Sequence, residues 1–234
     1  MKVLTHQNDT PAAIWAHMLQ AAVSLFINGF GVYLTIRAGI GAGPWDVFNL
    51  GLSHTFGMLY GTASIMVSVA VLLIDVILRE PIGIAILIDS VVVGKSVDFF
   101  NWLSPVPQPE TMFGGIVMGI VGLFIMGFTQ YLYMSAGLGA GPRDTLLVGL
   151  KRRLPKIPIG VISIALLALV TLIGYLLGGP VGGGTLLFAF GAGPIMQLAF
   201  RVMRFQPTLV KHQHIYTTLR ILLHRPSKAG QVKG

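Results

Sequence analysis

The chain has 234 residues, of which 54% are hydrophobic and 10% are charged, whereas soluble domains carry about 25% charged residues. This composition excludes a soluble globular domain, and the absence of cysteine excludes disulfides, thiolate metal sites and cysteine nucleophiles. The formal net charge of +8 lies in loops and the C-terminal tail, where it suits anionic lipid headgroups and gives no reason to expect nucleic acid as a partner.

Apolar segments of about 20 residues, the length that crosses a bilayer as a helix, recur along the chain. They predict an all-α integral membrane protein with six transmembrane helices, at residues 14–36, 59–78, 82–103, 112–134, 157–177 and 186–203. Residues 1–13 are predicted to be a cytoplasmic segment. The apolar run that follows shows no small-residue cleavage pattern, which favours a retained span over a signal peptide.

The two halves of the chain are related by duplication. Residues 25–46 align without gaps on residues 123–144, and 14 of the 22 positions are identical. Both stretches end in a similar phrase, GIGAGPWD at 39–46 and GLGAGPRD at 137–144. Identity of glycines, proline and aspartate in register indicates an internal repeat. We therefore divide the membrane region into repeat 1, residues 14–105, and repeat 2, residues 106–205.

Each repeat contains an odd number of predicted spans, so a chain that weaves through the membrane places the second repeat upside down. The charges agree, because Arg79, the KRR run at 151–153 and the basic tail all fall in loops on one side of such a weave. The sequence thus predicts two inverted three-helix repeats with both termini cytoplasmic.

The repeated phrase combines chain-breaking and helix-starting residues. Its glycines permit left-handed backbone, its proline suits the first position of a helix, and its aspartate meets the positive end of the helix dipole. A short helix is therefore predicted after each phrase, at 44–56 and 142–154. Two interpretations remain open: interfacial connectors, or re-entrant half-helices whose N-termini face a central cavity. The candidate pathway residues here are Gly43, Pro44, Asp46, Gly141, Pro142, Arg143 and Asp144.

The two phrases, each following a glycine-rich span, resemble the YczE/YyaS/YitT-type family of bacterial integral membrane proteins, and most closely its YczE-like branch. The resemblance covers about residues 14–205 and implies an inner-membrane protein with several spans. The resemblance assigns no catalytic residue to this chain. Trp45 stands in one phrase where Arg143 stands in the other, so the two copies need not act alike.

The predicted third span carries Asp89, Lys95 and Asp98. Charges at membrane depth are costly and commonly mark function. Lys95 and Asp98 are three residues apart and are expected to meet on one helix face. Asp89 has no local partner, and the aligned place in repeat 2 holds Phe188. These residues join the candidate solute or ion pathway, and a buried structural pair is the alternative.

Other polar residues are given structural roles. Asp75 and Arg79 are expected to pair at the interface, Arg37 to face Asp46, and Asn28 and Gln130 to join helices. Residues 206–234 are predicted to form a basic amphipathic tail on the cytoplasmic leaflet.

The leading functional hypothesis is a small-solute transporter or channel, proton-coupled through Asp89, for an anionic or zwitterionic solute. The alternative is a non-transporting accessory or anchoring protein, or the substrate-capturing subunit of a larger importer. No catalytic, metal or cofactor motif supports an enzyme. A homodimer or a larger membrane complex is compatible with either hypothesis.

Overall fold

The computed structural model describes residues 10–139 and 141–206, and within them the chain is helical and contains no strand. Eight helices follow one another: α1 (Pro11–Arg37), α2 (Pro44–Phe56), α3 (Tyr60–Ile77), α4 (Ile84–Leu103), α5 (Met112–Ser135), α6 (Pro142–Arg153), α7 (Ile159–Leu176) and α8 (Gly183–Val202). All six predicted spans and both predicted short helices are confirmed as helices. The predicted tail helix lies outside the described residues.

Five of these helices, α1, α3, α5, α7 and α8, are long and apolar enough to cross a membrane. Helix α4, the predicted third span, is 20 residues long but carries Asp89, Lys95 and Asp98. Its composition alone therefore does not mark it as a span. Helices α2 and α6, with 13 and 12 residues, are too short to cross.

Local sequence explains where the helices begin. The hydroxyls of Thr10 and Thr111 accept hydrogen bonds from the backbone N–H groups of Ala13 and Gly114, and so cap α1 and α5. Helices α2 and α6 begin at a proline that follows an extended glycine, and each has an aspartate in its first turn. The negative charge of that aspartate interacts favourably with the positive N-terminal end of the helix dipole.

The helices of the two halves interleave. Helices α1 and α5 pack against each other at the centre, and each also packs against the last helix of its own half, α4 and α8 respectively. The short helices cross over: α2 packs mainly against α7, and α6 packs mainly against α3. Neither half therefore forms a complete core alone.

Equivalent positions of the two halves make equivalent contacts. The Gly184 N–H donates to the carbonyl of Ile40 at 2.8 Å, and the Ala85 N–H donates to the carbonyl of Leu138 at 3.2 Å. At the far ends of the short helices, Thr55 Oγ1 donates to the Leu177 carbonyl at 2.9 Å, and Arg153 Nη2 donates to the Leu78 carbonyl at 3.4 Å. The duplication therefore extends from the sequence to the contacts between helices.

One contact breaks this equivalence. Helix α3 packs along α4, whereas no comparable packing joins α7 to α8 within the described residues. Between α3 and α4, Asp98 Oδ1 accepts a hydrogen bond of 2.7 Å from the N–H of Gly61. The carboxylate of Asp98 on α4 thus caps the N-terminus of α3.

Candidate functional site: a cavity where both repeated phrases meet

Both repeated phrases turn in the same way before their short helices. Gly39 and Gly41 have φ values of 69° and 110°, and the equivalent Gly137 and Gly139 have 70° and 126°. These are backbone conformations that residues with a Cβ rarely adopt. Close approach adds a second requirement, because a Cβ at Gly41 would lie 2.6 Å from the backbone nitrogen of Gly182. The glycines therefore allow the chain to turn sharply and to pack closely on neighbouring backbone, and this turn sets the direction of each short helix.

The N-termini of both short helices line one cavity of about 240 Å³. The polar residues of its wall come from α1 to α6: Asn28, Asp46, Tyr60, Ser64, Ser68, Asp89, Gln130, Tyr133, Arg143 and Asp144. Its apolar wall includes Val32, Val93, Leu123, Met126, Ala192 and Met196. Polar side chains from six helices thus converge on a cavity that also has an apolar side, and convergent polar groups fix the orientation of a ligand in small-molecule sites.

The two phrases touch at the position where they differ. The guanidinium carbon of Arg143 lies 5.0 Å from the centre of the Trp45 ring, a distance typical of a cation–π contact. The same guanidinium attracts the carboxyls of Asp46, Asp89 and Asp144 electrostatically. Among the described residues that line the cavity, Arg143 is the one basic residue, and three are acidic.

Asp46 is buried and held by a hydrogen-bond chain. The hydroxyl of Tyr60 donates to Asp46 Oδ1 at 2.7 Å, and Asn49 Nδ2 donates to the Tyr60 oxygen at 3.3 Å. All three side chains are less than 10% exposed. This chain orients the Asp46 carboxyl at the start of α2.

Asp89 and Asp144 are less constrained. Asp144 Oδ2 lies 3.5 Å from its donor, Gln130 Nε2, at the outer limit of a hydrogen bond. Asp89 lies against the start of α6, where a Cβ on Gly141 would come within 2.8 Å of Asp89 Oδ2. Among the described residues no group donates a hydrogen bond to Asp89. Its carboxyl is thus open to the cavity.

Tyr133 is a further unsatisfied group in this wall. Its side chain is 2% exposed, and its hydroxyl has no hydrogen-bond partner among the described residues. Buried hydroxyls normally have a partner. Tyr133 lines the cavity, but its hydroxyl oxygen is itself buried, so a bound molecule reaches it only after a small movement of the side chain.

The predicted site residues separate into three groups, of which the third, Lys95 and Asp98, lies away from the cavity. Asp46, Asp89, Gly141, Arg143 and Asp144 line the cavity. Gly43, Pro44 and Pro142 are buried beside it and shape the starts of α2 and α6.

Lys95 and Asp98 do not line the cavity. Lys95 is exposed on the outer side of α4, and the predicted ion pair between them does not form within the described residues. Asp98 caps α3 instead. The reason is geometric: positions 95 and 98 share a helix face only approximately, and packing of α4 on α3 turns position 98 inward.

Two other predicted pairs are also wrong. Arg37 Nε donates to the Val106 carbonyl at 3.3 Å and does not face Asp46. Asp75 is fully buried without a hydrogen bond to either carboxyl oxygen, while Arg79 is exposed. The helix ends between them, and Arg79 takes a left-handed conformation with φ of 57°.

The roles of the helix-joining residues are mixed. Asn28 Nδ2 donates to Thr129 Oγ1 at 3.0 Å, so it joins α1 to α5 as predicted, and it also lines the cavity. Gln130, Tyr60 and Tyr133 line the cavity as well. Their one sequence signal is asymmetry, because positions 32, 159 and 35 of the other half hold Val, Ile and Thr.

Comparisons with known proteins identify the family of the chain. Residues 15–201 match a family model described as a family of unknown function, DUF6198. The chain is 32% identical to an uncharacterized protein of Haemophilus influenzae over 88% of this chain and 95% of that protein. It is 33% identical to the uncharacterized membrane protein YczE of Bacillus subtilis over 75% of this chain and 81% of that protein.

A third relative, the uncharacterized protein YyaS of Bacillus subtilis, is 27% identical over 81% of this chain and 92% of that protein. No solved structure matches the chain. The family match covers most of the chain, and the relatives include the protein types that the two phrases resemble. The chain therefore belongs to the DUF6198 family, and it is a membrane protein similar to YczE.

Proposed function

We propose that this protein is a small-solute transporter or channel whose solute site is the central cavity. One observation carries the proposal: the N-termini of α2 and α6, one from each half, line the same cavity together with three carboxyls and a guanidinium. Secondary transporters commonly bind their solutes between two repeats, at the ends of interrupted helices.

The membrane arrangement that we propose has six spans, α1, α3, α4, α5, α7 and α8, in two inverted repeats. Its support is the odd number of spans in each half, the basic loops on one side and the equivalent contacts between halves. Helix α4 is included because Asp89 faces a polar cavity and Asp98 caps α3. Charged residues that face the interior are tolerated in spans.

In this arrangement α2 and α6 are re-entrant half-helices. The first phrase follows a span that ends outside, and the second follows a span that ends in the cytoplasm. If the two phrases start from opposite sides, the contact of 5.0 Å between Trp45 and Arg143 supports a meeting point near the middle of the bilayer. Irregular backbone at that depth is tolerated where it lines a cavity.

Asp89 is the proposed coupling residue. Its carboxyl reaches the cavity and has no hydrogen-bond donor among the described residues, so a proton and a solute can exchange on it. The cavity wall holds more acidic than basic groups, which favours a solute with a positive group. A zwitterion therefore suits the cavity better than the simple anion that the sequence analysis also proposed.

Solute flux through proteoliposomes tests the proposal. A broad panel of solutes is measured with wild type, Asp89→Asn and Asp46→Asn. Glu110→Gln is the matched control, because it makes the same carboxyl-to-amide change at an exposed position that does not line the cavity. We expect a flux that the control retains and that both cavity variants reduce at least tenfold.

Two results would count against it. Flux that is indifferent to Asp89 and Asp46 would remove the cavity as the site. No flux for wild type, under conditions where a control transporter works, would favour the accessory or importer-subunit alternative. Purification in mild detergent with a stoichiometric partner would then identify that role.

A further inference from the structure

Within the described part of the chain, the charges around the cavity do not balance. The titratable groups that face it are Asp46 from α2, Tyr60 from α3, Asp89 from α4, Tyr133 from α5, and Arg143 and Asp144 from α6. The lining residues of α1 and α8, Asn28, Val32, Ala192 and Met196, do not titrate. With all three carboxyls ionised, one guanidinium leaves two negative charges uncompensated.

An uncompensated charge of this kind is costly between membrane helices, above all at Asp46, whose side chain is buried. Two kinds of positive charge can offset it, namely protons on the carboxyls or a cation in the cavity. Both act on the same oxygen atoms, so they compete. Binding of a cation therefore drives release of protons, and protonation drives release of the cation.

Two groups indicate what the cation must offer, the half-buried carboxyl of Asp89 and the buried hydroxyl of Tyr133. Asp89 lacks a hydrogen-bond donor, and the buried hydroxyl of Tyr133 lacks any partner among the described residues. A group with several N–H donors satisfies the Asp89 carboxylate and can also donate to the Tyr133 oxygen. Arg143 already shows that a guanidinium is accommodated against this wall, over Trp45.

Size and geometry argue against a bare metal ion. A volume of about 240 Å³ corresponds to roughly eight water molecules at about 30 Å³ each. No group of three His, Asp or Glu side chains in the described part of the chain is arranged to hold a metal ion. An organic cation of several heavy atoms fits better.

Building on the transport function proposed above, we propose that the solute is a small organic cation with an ammonium or guanidinium group, exchanged for protons at Asp46, Asp89 and Asp144. Asp89 contacts the positive group, and Tyr133 completes its hydrogen bonds. The charges then balance: Arg143 offsets one of the three carboxylates, the bound cation offsets a second, and the third carboxyl keeps a proton.

Binding to the purified full-length protein tests the solute class. Calorimetry compares small alkylamines and alkylguanidines with neutral analogues, for example butylguanidinium against butylurea, which is similar in shape but uncharged. We expect the cation to bind at least tenfold more tightly, with an affinity that rises up to about tenfold per pH unit for each proton displaced. A pH indicator in weak buffer should detect the released protons.

Variants separate the roles. Asp89→Asn should weaken cation binding at least tenfold, Asp89→Glu should retain part of it, and Glu110→Gln should leave it unchanged. Equal binding of butylguanidinium and butylurea, no binding by any cation in the panel, or binding without pH dependence would each overturn the proposal. Flux of an anion that depends on Arg143 would overturn the solute class while leaving the transport function intact.

A separate observation concerns the unequal packing of the two halves. Gly61 of α3 and Gly94 of α4 lie backbone to backbone, since a Cβ on Gly94 would be 2.9 Å from the Gly61 carbonyl oxygen. Their equivalents in repeat 2, 99 positions further on, are Gly160 of α7 and Gly193 of α8. A Cβ at either would meet nothing within 4 Å.

The unformed contact retains both glycines of the formed one and has a different acceptor in place of Asp98. Both glycines are present, and Gln197 stands at the position equivalent to Asp98. Its amide oxygen can accept from the N–H of Gly160 as Asp98 accepts from Gly61. Gln197 is exposed here.

Again on the basis of the proposed transport function, we infer that the described conformation is one of two. In the other, α7 closes on α8 at Gly160 and Gly193, with Gln197 capping α7, while α3 separates from α4 at Gly61 and Gly94. Exchange of the two packings between inverted repeats would open the cavity to opposite sides of the membrane in turn.

Spin-label distances test the exchange, and the absence of native cysteine makes labelling straightforward. One pair is Met66→Cys and Val91→Cys on α3 and α4; the equivalent pair is Ala165→Cys and Phe190→Cys on α7 and α8. All four positions are exposed. In liposomes we expect the α7–α8 pair to shorten and the α3–α4 pair to lengthen when pH or the bound cation is changed.

A further variant tests the exchange by a second route, in case the spin labels do not report the movement. Gly193→Leu has open space in the described conformation, so the variant should remain folded. Its side chain should block the close approach of α7 to α8, so the short α7–α8 distance should not appear and flux should fall at least tenfold. Distances that stay constant in both pairs under conditions of measurable flux would overturn the inference, as would simultaneous shortening of both. Neither result bears on the existence of transport, which the flux assay decides.

Discussion

At the scale of single residues, the site depends on which carboxyls are restrained. Asp46 is held by Tyr60, which is held in turn by Asn49, whereas Asp89 has no donor among the described residues. The restrained aspartate orders the start of α2, and the unrestrained one is available to a ligand. Two residues of the same type thus take different roles because their neighbours differ.

Removal of the Tyr60 hydroxyl should destabilise the protein. Tyr60→Phe deletes the hydrogen bond to Asp46 and leaves a buried carboxyl without its donor, which costs about 1–3 kcal/mol. We expect a lower midpoint in a detergent unfolding titration. Tyr131→Phe is the control, because its hydroxyl makes no hydrogen bond within the described residues. Equal stability of the two variants would show that the Tyr60–Asp46 bond contributes little.

A second residue-scale prediction concerns helix contact. A Cβ on Gly122 of α5 would lie 2.7 Å from the carbonyl oxygen of Gly31 on α1, so Gly122→Ala should force the central helices apart and cost about 1–3 kcal/mol. Gly193→Ala has open space and should leave the unfolding midpoint unchanged or slightly raised, since alanine favours helix by up to about 1 kcal/mol. The same titration measures both. A harmless Gly122→Ala would contradict close packing of α1 on α5.

At the scale of elements, the short helices are positioned by the opposite half. Helix α2 packs on α7 and α6 packs on α3, and the equivalent hydrogen bonds from Thr55 and Arg153 fasten their far ends. The end of α6 is further tied by an ion pair of 3.1 Å between Arg152 and Glu80. Because Arg152 is largely exposed, that pair contributes at most about 1 kcal/mol, and packing is the main constraint.

The cap that joins α3 to α4 provides an element-scale prediction. Asp98→Ala removes the acceptor for the Gly61 N–H and should cost about 0.5–2 kcal/mol, the usual range for loss of a helix N-cap. Asp98→Asn retains an acceptor and should lose less. Hydrogen exchange of the first turn of α3 measures the effect directly. Unchanged protection in Asp98→Ala would mean that water or lipid headgroups cap that turn equally well.

At the scale of the whole molecule, the proposed inverted arrangement predicts the side on which each loop lies. The cysteine-free chain allows single cysteines to be labelled in intact cells with a membrane-impermeant maleimide. Ser104→Cys, between α4 and α5, should be labelled from outside. Lys156→Cys, between α6 and α7, should be labelled only after the cells are opened. Labelling of both from the same side would contradict the inverted repeats.

The sequence by itself determined the membrane class, the duplication and the ends of the helices, because these depend on local properties. Hydrophobicity sets the length of a span, and glycine, proline and a first-turn aspartate set where a helix begins at Pro44 and Pro142. The two repeated phrases also contain Asp46, Gly141, Arg143 and Asp144, which line the cavity. Each of these signals is carried by residues that are close together in the chain.

Only the tertiary structure decided which polar side chains meet. Asp89, Arg143 and Asp46 are brought together by the crossing of helices from both halves, and Asp98 is turned to the N-terminus of α3 by the packing of α4. Tyr60 and Tyr133 had no local signal, because whether a hydroxyl lines a cavity depends on the shape of the surrounding helices. The pairs proposed from spacing alone, Lys95 with Asp98 and Asp75 with Arg79, did not form, since a favourable spacing within one helix is weaker than the packing that rotates and ends that helix.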